Sequence, residues 1–93
     1  MALANFDHLP GGELIEKGIS DLDIGHESVE ALLVSVGATR LRSTGIRLST
    51  SIAFPEHKLY RRLASEKGNA AHSAYNALIR RLVSFERAAA CAN

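Results

Sequence analysis

The chain has no tryptophan, one cysteine and two prolines among its 93 residues, and only five aromatic side chains. With so few aromatics, much of any core must be aliphatic. The lone Cys91 excludes a disulfide framework and a thiolate metal cluster, and it has no neighbouring base in sequence to make it a nucleophile. No apolar run, neither Ala31 to Val34 nor Ala88 to Ala92, is long enough to span a bilayer. The opening MALANFDHLPGG lacks the basic and apolar regions of a secretory signal. No Gly-rich phosphate loop or nucleophile elbow is present, and His8, His26, His57 and His72 lack metal-ligand spacing. The expectation is a soluble cytoplasmic protein without cofactor, metal or membrane contact, and not an enzyme.

What is present is a hydrophobic content of 46%, which argues against disorder, in a length that suits one small domain. A net charge of +1 hides an asymmetry. Residues 1–30 hold seven acids and one base, Lys17, for −6; residues 31–93 hold ten bases and three acids, for +7. Such a split suits intramolecular docking, head-to-tail association, a basic working face shielded by an acidic segment, or simply a solvated surface.

Helical periodicity dominates. The stretch 69–90, NAAHSAYNALIRRLVSFERAAA, places Ala71, Tyr75, Leu78, Ile79, Leu82, Phe85 and Ala89 on one face, with Asn69 as its N-cap after Gly68. Burying its five largest apolar side chains contributes roughly 1.5–3 kcal/mol each, so this helix is expected to be the main source of core. A first helix is predicted over Glu13 to Ile24, with Leu14, Ile15, Gly18, Ile19 and Leu22 inward. Asp21 and Asp23 near its end oppose the helix dipole, so it needs tertiary support. A second helix starts at His26 or Ser28 and ends at Val36, burying Val29, Leu32, Leu33 and Val36; its ALLVSV also suits a short buried strand. Residues 38–44 read as one or two further turns. A helix from Pro55 to Lys67 turns Leu59, Tyr60, Leu63 and Ala64 inward and Lys58, Arg61 and Arg62 outward. Residues 1–9 form a loose lead-in tacked by Phe6 and Leu9, and 91–93 a frayed tail.

Residues 46–54, IRLSTSIAF, break the rhythm. Ile46, Leu48, Thr50, Ile52 and Phe54 alternate with Arg47, Ser49, Ser51 and Ala53, which is strand periodicity. A lone strand cannot satisfy its own backbone groups, so the segment either pairs with another chain or is an extended loop.

The order strand, helix, Gly turn, helix over 46–87, together with LYRRLASEKG at 59–68, resembles the ribbon-helix-helix DNA-binding family. The likeness runs on through Ser73, Tyr75 and Ile79 and leaves residues 1–45 outside it. It implies a dimer whose paired strands present Arg47, Ser49, Ser51 and Ala53 to the major groove, with the turn at Asn69 to Ala71 facing a phosphate. Arg61 and Arg62, like Arg80 and Arg81, are further phosphate candidates, or solvated helix edges whose stems cover the core margin. A helix-turn-helix over residues 27–46 is the other DNA-binding arrangement considered, but its second element is barely two turns long.

Two features of the last helix remain. Glu86 projects onto the apolar face, where it either marks an exposed helix end or pairs with Arg40, Arg42 or Arg62. His72, Asn76 and Arg80 form a polar ridge at i, i+4, i+8, suited to binding an anion or to hydrogen bonding at a helix–helix edge. No second catalytic group accompanies Glu86. The sequence therefore predicts a mostly α domain of four helices with an extended or strand segment near 46–54. It is expected to act as a non-enzymatic interaction or regulatory module, through self-association or a protein partner, with a dimeric antitoxin-like DNA-binding repressor as the alternative.

Overall fold

The computed structural model describes residues 9–92. The fold is mostly helical: α1 (Gly12–Asp23), α2 (Val29–Val36), the six-residue α3 (Ala38–Ser43), α4 (Pro55–Lys67) and α5 (Ala71–Ala92). A 3-10 turn, Gly68–Ala70, joins α4 to α5. Among the described residues there is no strand. The expected four helices are α1, α2, α4 and α5, and α3 supplies the short extra turns foreseen after Gly37. Most of the lead-in, Phe6 included, lies outside the described residues; Leu9 is half-buried against the core.

The centre of the fold is α2, not α5. Ala31, Leu32, Leu33, Val34 and Ser35 are consecutive and all buried, so α2 has no solvent face through its middle. The face read from sequence, Val29, Leu32, Leu33 and Val36, was too narrow because it assumed one exposed side. α2 packs against each of the other four helices. The ALLVSV run is helical, started by Ser28, whose side chain accepts the Ala31 N–H at 3.0 Å.

Two close approaches let α2 sit so deep. A β-carbon at Gly18 on α1 would collide with the Glu30 carbonyl and a Val34 methyl, so glycine sets the α1–α2 spacing. At Gly37, where α2 meets α3, a β-carbon would stand 2.6 Å from a Glu86 carboxylate oxygen and 2.9 Å from a Leu82 methyl on α5. Polar links complete the α1–α2 joint. The Ser28 hydroxyl donates to Asp21 at 2.5 Å, and Lys17 binds the same Asp21 oxygen at 2.7 Å. Asp21, adverse at the end of α1, is thus neutralised by Lys17 and by the N-terminus of α2.

The segment 46–54 is an extended loop strapped to its own chain. Ile46, Leu48 and Ile52 turn toward the core, as their alternation predicted, while Thr50 and Phe54 are exposed. The backbone problem of a lone strand is solved by a side chain. Buried Ser35 accepts the Ile52 N–H at 2.9 Å while donating to the Ala31 carbonyl. Ser49 donates to Asp23 at 3.0 Å, and Arg42 donates to the Leu48 carbonyl at 3.4 Å.

Other expectations need correction. On α4, Leu59 and Leu63 are buried, but Tyr60 and Ala64 are exposed, because α4 meets α2 and α5 over a narrower face than the pattern allowed. Asn69 lies inside the 3-10 turn and α5 starts two residues later. Cys91 is helical rather than part of a frayed tail, since α5 runs to Ala92. On α5 the face held: Ala71, Leu82, Phe85 and Ala89 are buried, and Tyr75, Leu78 and Ile79 pack against the core while keeping some exposure.

Candidate functional site

The cleft of most chemical interest lies where α5 passes the α2–α3 junction. It is an open groove of about 530 Å³, lined by Val36, Gly37, Thr39, Arg40, Ile79, Leu82, Val83, Glu86 and Arg87. α5 supplies the apolar wall: Ile79, Leu82, Val83 and Glu86 are spaced so that successive turns present them to one side. The missing side chain at Gly37 makes room for the Glu86 carboxyl. Arg40 from α3 and Arg87 from α5 are exposed at the rim.

Glu86 is 8% exposed. Its carboxyl accepts no hydrogen bond and makes no ion pair among the described residues. Burial raises its pKa, and the positive charge of Arg40 offsets part of that rise. The expected contact ion pair is therefore absent, although Arg40 is the arginine whose field it feels. Of the other two candidates, Arg42 is turned to Leu48. Arg62 is bound to Glu66 at 3.3 Å and to the Glu27 carbonyl. Glu86 is thus a nearly buried acid facing an apolar groove, with cations at the rim and none in contact.

The polar ridge is partly assembled. Asn76 and His72 are 3.3 Å apart within α5, and His72 meets the edge of Tyr60 on α4, ring centres 6.4 Å apart. Tyr60 also stacks obliquely on Tyr75 at 5.5 Å. Burial, with Glu56 adding a smaller repulsion, raises the Tyr75 pKa. These contacts make the ridge part of the α4–α5 seam, with Arg80 exposed beyond it.

Arg47, Ser49, Ser51, Arg61 and Asn69 are exposed. Ser49 is turned toward the Asp23 carboxylate, which sets an anion beside one of the proposed base readers. The acidic and basic parts of the chain meet in one ion pair among the described residues, Glu13 to Arg81 at 3.0 Å, which fastens the start of α1 to α5. Lys17, the one base of the acidic part, is taken up by Asp21 and Glu30.

Sequence reasoning grouped Phe54 with Ile46, Leu48 and Ile52 in the 46–54 alternation, and the structure turns it out instead. Phe54 precedes Pro55, is 78% exposed and stands in the left-handed backbone region at φ 51°, ψ 50°. Bulky residues rarely adopt that conformation, at a cost on the order of 1–3 kcal/mol. The only hint in the sequence was its position as the last large apolar residue before a proline.

Among the described residues no cluster of three or more His, Cys, Asp or Glu side chains has the geometry to hold a metal ion, and no helix is long and apolar enough to cross a membrane. No protein-family model, curated protein or solved structure matches this chain significantly.

Proposed function

We propose that the protein is a non-enzymatic interaction or regulatory module that works through self-association or a protein partner. The observation that carries this reading is the apolar face of α5 that its neighbours leave partly open. Its partly exposed Ile79 and Val83 run into a groove with an apolar wall, arginines at the rim and a nearly buried carboxyl that accepts no hydrogen bond among the described residues. An apolar wall beside a charged rim is the arrangement found where a protein surface is completed on binding.

A second reading is the dimeric ribbon-helix-helix DNA-binding regulator. Exposed Arg47, Ser51 and Arg61 support it. It requires residues 46–54 to leave Ser35 and Asp23 and pair with a second chain, and that exchange weighs against it.

Light scattering on a size-exclusion column, at low and high salt and over a range of loadings, tests the first reading. A salt-resistant, concentration-dependent oligomer supports it, while a stoichiometric cofactor on the purified protein overturns it. Titration with duplex DNA discriminates the second. Binding that weakens steeply with salt and is lost in Arg47→Ala would favour the DNA-binding regulator.

A further inference from the structure

We propose that Phe54 of one copy of this chain docks into the Glu86 groove of a second copy. The inference rests on the self-association reading and supplies its two contact surfaces. Phe54 is a large apolar side chain held out in solvent by a backbone conformation that disfavours it, and only exposure is gained from that conformation within one chain. Such an anchor, fixed on its inner side by the Ile52–Ser35 hydrogen bond and on its outer side by Pro55, is preorganised for insertion.

The groove has the complementary features. Its volume of about 530 Å³ falls within the range of clefts that take up compact apolar groups, and Ile79, Leu82 and Val83 form an apolar wall. The nearly buried carboxyl of Glu86 lines it and accepts no hydrogen bond among the described residues. An aromatic ring presents a positive edge to that carboxyl, which an aliphatic chain does not, and so offsets part of the cost of covering it. Charge fits as well. Glu56, exposed in the first turn of α4 two residues beyond Phe54, meets a groove whose rim carries Arg40 and Arg87. Projection and groove lie on different parts of one chain, so the contact closes as a reciprocal dimer or a ring, or extends head to tail.

Sedimentation of the purified full chain over a concentration series tests the proposal. Wild type is expected to self-associate, and Phe54→Gly to weaken association at least tenfold. The thermal midpoint of Phe54→Gly should be unchanged or raised, because glycine relaxes the left-handed position. Phe54→Asn, also tolerated there, serves as the second variant. Arg87→Glu should weaken association, and adding Glu56→Arg to it should restore at least part of the loss. A chain that is monomeric at every concentration overturns the docking and leaves only a protein partner for the broader reading. An association that Phe54→Gly leaves intact overturns the docking while self-association stands. A charge exchange that restores nothing places Phe54 elsewhere than this groove and also overturns it.

Discussion

α2 and α5 are opposites. α2 has eight residues, almost no polar face and a position in contact with every other helix; α5 has 22 residues, a regular amphipathic pattern and a face that its neighbours leave partly open. The long helix carries the stronger periodic signal, yet the short one holds the molecule together. Periodicity reports that a helix has two different sides, whereas a helix buried all round has only one kind of side and shows little periodicity. The difference also divides labour. α2 is committed to the core, and α5 retains apolar surface for the groove around Glu86.

The largest effect that sharpens this contrast is truncation at matched depth along the two helices. Leu33→Ala on α2 should destabilise the fold by roughly 2–5 kcal/mol, as a cavity in a site closed on all sides. Ile79→Ala on α5 should cost less, about 1–2 kcal/mol, since that side chain is only partly enclosed. Urea denaturation of both variants measures the ratio, and equal losses would remove the distinction.

Gly18→Ala comes next. The added methyl improves helix propensity but drives α1 away from the Glu30 carbonyl, for a net loss of about 1–3 kcal/mol. A gain in stability would show that the two helices can separate at little cost.

Ser28→Ala removes the cap of α2 and should cost about 1 kcal/mol. It also alters the acid dependence. The hydrogen bond from Lys17, then that from Ser28, holds the Asp21 carboxyl below its ordinary value of 3.8. The stability from Asp21 is therefore complete above that value and lost as pH falls through the folded one. With Ser28 gone less remains to lose, so a denaturation series from pH 6 down to about pH 2 should show a shallower acid limb than wild type.

Glu86→Gln should have the smallest effect, of opposite sign. Burial raises the Glu86 pKa above 4.5, so wild type gains from this group in acid and loses that gain as pH rises through the folded value. The variant should unfold slightly later than wild type near pH 7, with the two converging below about pH 4. Persistence of the difference in acid would mean that ionisation at Glu86 is not its source.

Much of this architecture was legible in the chain. Pro55 and Gly68 bracket α4, Ser28 starts α2, and the alternation of Ile46, Leu48 and Ile52 marks which side of 46–54 turns inward. These are local signals, set by backbone geometry and by the period of apolar residues. Less of the site was legible. The position of Glu86 on an apolar face was visible, but its missing ion pair was not, because that depends on Arg42 and Arg62 being engaged elsewhere. Phe54 was counted as inward by alternation, and only the turn into α4 reversed it.

The sequence alone determined the helical class, the helix limits to within about two residues, and the split of charge along the chain, since each follows from neighbours a few positions apart. Only the tertiary structure decided that α2 is the centre, that Ser35 rather than another strand satisfies Ile52, and that Gly37 opens a place for Glu86. Each of those joins residues far apart in sequence, and the close packing that brings them together leaves no repeat or spacing in the chain by which to read it.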